Sequence, residues 1–193
     1  KNNSYWKCAS SCFVLTLRNQ LSAFSYQQRA ESKLQKAESF LYLCKMVKIG
    51  NIELPDFPFL LAPMEDVSDP PFRRLCKLHG ADLMYSEFIS SEGLIRDAMK
   101  SRKKLDIFDY ERPVGIQIFG GDEEAMSLSA KIVETVNPDI VDINFGCPVK
   151  KVVSKGAGAG VLKDVDLMVR LTKAVVNSTH LPVTVKTRLG WDV

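Results

Sequence analysis

From residue 57 to residue 191 the chain repeats one pattern: a short apolar run, a polar break, then an amphipathic segment leading to the next apolar run. The runs are "FPFLLAPM" (57–64), "LMYSEFI" (83–89), "RPVGIQIFG" (112–120), "DIVDINFG" (139–146) and "LPVTVKTRLGW" (181–191). The segments between them carry helix signals. Residues 69–80, "DPPFRRLCKLHG", place proline near the start and glycine at the end. Residues 122–136 open with acids in the first turn, where the helix macrodipole favours them. Residues 90–104 read as a polar helix and 164–179 as another amphipathic one. Alternating strands and helices with short links, the strands nearly continuous in apolar residues, predict a parallel sheet buried on both faces.

Five strand units fit an open doubly wound sheet or the first part of a (β/α)8 barrel. Two features favour the barrel. Polar residues stand at the carboxyl end of every strand (Met64-Glu65, Ser86-Glu87, Gln117, Asn144, Lys186-Arg188), where such barrels build their active sites. The first strand-to-helix turn, "APMEDVSDPP", lacks the Gly-x-Gly-x-x-Gly fingerprint of a dinucleotide-binding sheet. The expected fold is therefore α/β, a (β/α)8 TIM barrel truncated after about the fifth strand, since a full barrel takes about 250 residues.

Residues 1–45 differ from the rest: they are rich in Ser, Gln and Lys and contain neither Gly nor Pro. They are expected to be an N-terminal extension outside the fold, with the barrel portion running over 46–193. They also distort the net charge of +3, because they hold seven basic and two acidic residues against 19 and 21 in the remainder. Bulk charge therefore argues for no nucleic-acid partner, and any such case rests on local clusters. Five cysteines without paired spacing, and only two histidines, fit neither a zinc site nor a disulfide framework. Reduced thiols in a cytoplasmic, monomeric protein without bound metal are expected. No apolar run approaches the roughly 18 residues that span a bilayer, so no membrane association is expected.

The stretch "DINFGCPVKK" (142–151) carries the strongest chemical signal. Its apolar run breaks at Asn144 and Gly146, delivers Cys147, and stops at Pro148 ahead of two lysines. A free cysteine is most often a small buried hydrophobe. A thiol at a strand end beside positive charge also suits an acid or a nucleophile, and the residues alone leave the two readings even. A Cys-His hydrolase is disfavoured, because His79 and His180 fall at the opposite ends of the strands. Asn144, costly in a strand unless hydrogen-bonded, either caps a turn or holds a planar polar ligand. Gln117 poses the same question, and Lys186, between valine-rich positions, must reach either solvent or a charge. Together, on successive strand ends, they point to a ligand. The cluster "KKVVSK" (150–155) reads by default as a solvated helix face; beside Cys147 it also suits a phosphodiester backbone through Lys150 and Lys155. The glycine-rich "KGAGAGVLKD" (155–164) matches no phosphate-loop pattern, and close packing explains it equally well.

The segments "APMEDVSDPPFR", "YSEF", "VGIQIFGG", "DINFGCPVKKV", "GAGAGVL" and "LPVTVKTRLGW", in this order from about Ile49 to Trp191, resemble the tRNA-dihydrouridine synthases. The resemblance implies an FMN-bound TIM barrel that reduces the C5=C6 bond of uridine in tRNA with NADPH as electron source. It implies flavin contacts for Pro63, Met64, Gln117 and Lys186, a proton-donor role for Cys147, and a substrate-side place for Asn144. Two departures stand out. The later strands, the phosphate loops and a C-terminal tRNA-binding domain lie outside this sequence, so residues 46–193 alone are expected to bind FMN poorly. Glu65-Asp66 replace the small residues that often follow the Pro-Met pair. The competing readings are an FMN barrel acting on a free pyrimidine, such as a dihydroorotate dehydrogenase, and a non-catalytic RNA-binding barrel.

Overall fold

The computed structural model describes residues 47–192. The expectation for residues 1–45 falls outside them. Parallel strands run through the core in the order β3 (Leu60–Leu61), β4 (Leu83–Tyr85), β6 (Val114–Phe119), β7 (Ile140–Phe145) and β8 (Val183–Thr187). Spatial order follows chain order without reversal. A doubly wound sheet reverses at a switch point, so this order is the arc of a barrel wall and bears out the choice between the two folds at the level of strand order.

Side chains alternate across each strand, and parallel register sorts them into two faces. Ile116, Ile118, Val141, Ile143, Phe145, Val183 and Val185 face outward and pack with Met126, Ala130, Val133, Leu171 and Val175 of the helices α4 (Glu123–Glu134) and α6 (Val165–Val176). Both helices are capped by an aspartate side chain: Asp122 accepts from the Ala125 N–H and Asp164 from the Leu167 N–H. On the other face, at the amino end of the strands, Leu83, Tyr85 and Ile140 meet Ile49 and Leu54.

Those last two residues belong to a hairpin that the strand-and-helix pattern did not predict. β1 (Val47–Ile49) pairs antiparallel with β2 (Ile52–Leu54) across a two-residue Gly50-Asn51 turn. Gly-Asn between alternating apolar residues is a hairpin signal, and Gly50 takes φ +59. A side chain at Gly50 would meet Pro182 at 2.5 Å, so the turn lies against the start of β8. The hairpin thus plugs the amino end of the inner face and leaves the carboxyl end for polar groups.

The expected helix over 90–104 is two short helices, α2 (Ser91–Ile95) and α3 (Met99–Lys103), broken where Asp97 adopts φ 54. The expected strand over 83–89 is interrupted as well. Tyr85 pairs with Gly115, but Ile89, in the short strand β5 (Ile89–Ser90), pairs with Ile118. Four residues on one strand match three on its neighbour, which is a bulge that turns Glu87 and Phe88 out of the ladder. No helix among the described residues is long and apolar enough to cross a membrane.

A buried ion pair braces the first turn. Arg73, on α1 (Pro70–Leu78), is 2% exposed and Glu111, in a 3-10 turn before β6, is 0% exposed. Arg73 Nε and Nη2 both donate to the Glu111 carboxylate, and Nη1 and Nη2 donate to the carbonyls of Ser68 (2.9 Å) and Asp106 (2.7 Å). The bidentate pairing satisfies charges that would otherwise make burial costly.

Candidate functional site

At the carboxyl ends of β6, β7 and β8 the inner face becomes a polar layer. Register aligns Gln117 with Asp142, Asp142 with Thr184, and Asn144 with Lys186. Parallel pairing turns aligned residues to the same side. The layer is therefore built by alternation along each strand, with outward positions apolar and inward positions polar.

Gln117 Nε2 donates to Asp142 Oδ2 at 2.5 Å, and Gln117 Oε1 accepts from Asn144 Nδ2 at 3.0 Å. The Thr184 hydroxyl donates to Asp142 Oδ1 and lies 3.4 Å from the Tyr85 hydroxyl. Burial pushes the Asp142 carboxyl up to about 6, against the hydrogen bonds from Thr184 and Gln117 and the positive charge of Lys186, which pull it down. Asp142 was not singled out in the sequence. Its position two residues before Asn144 on one strand, hence on the same face, was the available signal.

Asn144 fills the first of the two roles its sequence left open. It caps a turn: its Oδ1 accepts the N–H groups of Gly146 (3.0 Å) and Cys147 (2.9 Å), an Asx arrangement that ends β7. Arg188 Nε donates to the Gly146 carbonyl at 2.7 Å, and the Ala159 N–H donates to the Cys147 carbonyl at 2.9 Å. Gly158 lies directly beneath, with no room for a side chain: a Cβ there would fall 2.7 Å from the Cys147 oxygen. The glycine-rich segment is accordingly a packed 3-10 turn, Gly158–Lys163, supporting the thiol. Cys147 itself is half-buried and free.

Lys186 is exposed at the end of β8, beside Asn144 in register, and forms no salt bridge among the described residues. Lys150 begins the short helix α5 (Lys150–Val153) and Lys155 follows it; both are exposed. Pro63 and Met64 stand after β3, at the opposite edge of the sheet from Lys186. Their turn is closed by Ser68, whose hydroxyl accepts the Met64 N–H (2.9 Å) and donates to the Met64 carbonyl (3.0 Å), and the Ser68 carbonyl is held by Arg73. The unusual Glu65-Asp66 pair joins a surface network: Lys104 Nζ lies 2.5 Å from Glu65 Oε1 and 3.8 Å from Glu87 Oε1, which also accepts the Asp66 N–H at 2.6 Å. His79 caps the C-terminus of α1, and the His180 N–H donates to Glu134 on α4 ahead of β8; both stand away from the polar layer, as expected.

A pinned turn carrying a free thiol, an amide-lined floor and an exposed lysine without a salt bridge make a site suited to a planar polar ring, an anion and a proton transfer. A family model described as "Dihydrouridine synthase (Dus)" matches residues 60–193. The chain is 42% identical over 148 residues to a "Probable tRNA-dihydrouridine synthase" of Rickettsia prowazekii (strain Madrid E), covering 76% of this chain and 45% of that protein. It is 40% identical over 147 residues to "tRNA-dihydrouridine synthase B" of Pseudomonas aeruginosa, covering 76% and 44%, and equally identical over 147 residues to the protein so named in Vibrio vulnificus (strain CMCP6), covering 76% and 45%. The chain spans less than half the length of these relatives. It belongs to the dihydrouridine synthase family.

Proposed function

We propose that the protein reduces the C5=C6 bond of uridine in tRNA, within a (β/α)8 barrel of which the described strands form an arc. The observation that carries this reading is the Asn144–Cys147 turn, held at the carboxyl end of β7 beside the free ammonium of Lys186. Lys186 fits an anionic ring, as an exposed cation without a salt-bridge partner among the described residues, whereas Gln117 is fully buried with bonds to Asp142 and Asn144 and would reach a flavin only by moving. FMN would be held by Pro63, Met64, Gln117 and Lys186, and when reduced by NADPH it supplies the hydride that adds to C6 of uracil.

The chain's own residues then complete the reaction. Addition at C6 leaves negative charge at C5 and the adjoining carbonyl. Cys147 gives its S–H proton to C5, acting as a general acid, and its thiolate is reprotonated from solvent. Because the backbone of residues 146 and 147 is fixed by Asn144 Oδ1, Arg188 and the Ala159 N–H, the thiol approaches from a set direction. Lys186 would supply positive charge to stabilise a reduced flavin ring. The target base must leave its stack, and Lys150 and Lys155 would grip the tRNA phosphates beside it. A tRNA substrate and the free thiols of Cys76 and Cys147 suit a cytoplasmic enzyme.

The test is to purify the complete gene product and give it tRNA lacking dihydrouridine. A yellow protein bleached by NADPH that forms dihydrouridine supports the reading. A colourless protein that binds tRNA without changing it refutes it, as does reduction of orotate or free uracil in place of tRNA.

A further inference from the structure

Asp142 is a buried carboxylate, 3% exposed, to which the chemistry above gives no task. An ionised carboxylate offers acceptors only, so every group facing it must turn a donor towards it. Gln117 therefore presents its NH2 to Asp142, at 2.5 Å, and is left with its carbonyl towards Asn144. Asn144 must give its own NH2 to that carbonyl, at 3.0 Å, which leaves its Oδ1 aimed the other way. There it accepts the N–H groups of Gly146 and Cys147. The oxygen and nitrogen of an amide are nearly the same size, so shape alone does not select this sense. In the reversed sense the Asn144 NH2 would confront two backbone N–H groups, donor against donor.

We propose that Asp142 is a positioning residue: its carboxylate sets the sense of the Gln117 and Asn144 amides, and through them holds the Gly146–Cys147 backbone that carries the thiol. On its other side the Thr184 hydroxyl spends its single hydrogen on Asp142 and accepts from Tyr85. The consequence for catalysis rests on the reading of Cys147 as proton donor, whereas the relay itself is a statement about backbone hydrogen bonds. Above neutral pH the carboxyl is ionised, and the relay has its anchor.

Two variants of the complete gene product at pH 8 test the relay. Asp142→Ala removes the anchor. Gln117→Glu combined with Asp142→Asn trades carboxylate for amide while keeping every donor opposite an acceptor: the new amide at 142 donates to the new carboxylate at 117, which still accepts from Asn144. The readout is amide hydrogen exchange at Gly146 and Cys147, with the Val141 amide, bonded to the Pro182 carbonyl, as a core control. Asp142→Ala is expected to speed exchange at Gly146 and Cys147 about tenfold, with Val141 unchanged, as expected for loss of a buried acceptor. The paired variant is expected to stay within about twofold of the wild type. Unchanged exchange in Asp142→Ala, or a paired variant exchanging as fast as Asp142→Ala, overturns the proposal. Should Asp142→Ala unfold and expose Val141, the paired variant decides alone: wild-type exchange at Gly146 and Cys147 supports the relay, and fast exchange refutes it. A wild type that leaves tRNA uridine unreduced would defeat the functional reading, and the exchange result would still decide the relay.

Discussion

Replacing Gly158 by alanine separates steric contact from backbone strain at the floor of the Cys147 turn. Gly158 has φ +56, and a methyl there would lie 2.7 Å from the Cys147 carbonyl oxygen, 2.7 Å from Val152 Cγ1 and 3.2 Å from Cys147 Cβ. Gly156 provides an internal control, with φ +66 and nothing within 4 Å of its Cβ position. Both substitutions bear the cost of a left-handed conformation, about 1–2 kcal/mol. Only Gly158→Ala adds overpacking, typically about 1–3 kcal/mol. The atom that must move is backbone and also accepts the Ala159 N–H, so about 1 kcal/mol of hydrogen bonding is at stake as well. Gly158→Ala should therefore cost about 2–4 kcal/mol more than Gly156→Ala, read from urea midpoints at constant slope. A turn displaced by this much should also slow uridine reduction about a hundredfold. Equal stability losses for the two variants would refute the packing argument. A destabilised Gly158→Ala enzyme working at full rate would refute the link between this turn and catalysis.

Glu111→Ala leaves the Arg73 guanidinium buried against carbonyls alone and should cost about 3–5 kcal/mol in unfolding free energy, while Arg73→Met with Glu111→Leu recovers most of it. An unimpaired Glu111→Ala would show that the pair does not brace the Met64 turn. Asp142 makes stability pH-dependent: its carboxyl is protonated in both states below pH 3.8, and the unfolded chain ionises first as pH rises. About 3 kcal/mol of stability is then lost between roughly pH 4 and pH 6, with no further loss from this group above that window. Asp142→Asn should abolish that fall in urea midpoints, and parallel pH profiles for variant and wild type would contradict it. Lys186→Met removes the positive charge that lowers the Asp142 carboxyl, so the upper edge of the window should move to higher pH; an unmoved edge would mean the two charges do not interact.

The fold class was legible because it rests on periodicity: apolar runs with helical segments between them dictate parallel strands in chain order. What the runs could not show was interruption. The extra residue between Tyr85 and Ile89 and the left-handed Asp97 each break an element that reads as continuous, since neither changes the hydrophobic pattern. The hairpin at Gly50-Asn51 was readable from its turn residues and was obscured by its place next to the unusual first 45 residues. At the site, Asn144 and Gln117 stood out as polar residues in apolar strands. Asp142 did not, because its significance comes from lying across from Gln117 and Thr184 on other strands. Arg73 and Glu111 were silent for the same reason: 38 residues separate them, and charged residues on helices and turns are exposed by default.

The proposed role of the turn ending β7 is to present Cys147 as a proton donor. Its most direct test is the single-turnover rate of uridine reduction by Cys147→Ala, with the rate of flavin bleaching by NADPH measured alongside. Uridine reduction is expected to fall by about 10² to 10⁴ while bleaching is unchanged. Uridine reduction at the wild-type rate would contradict it.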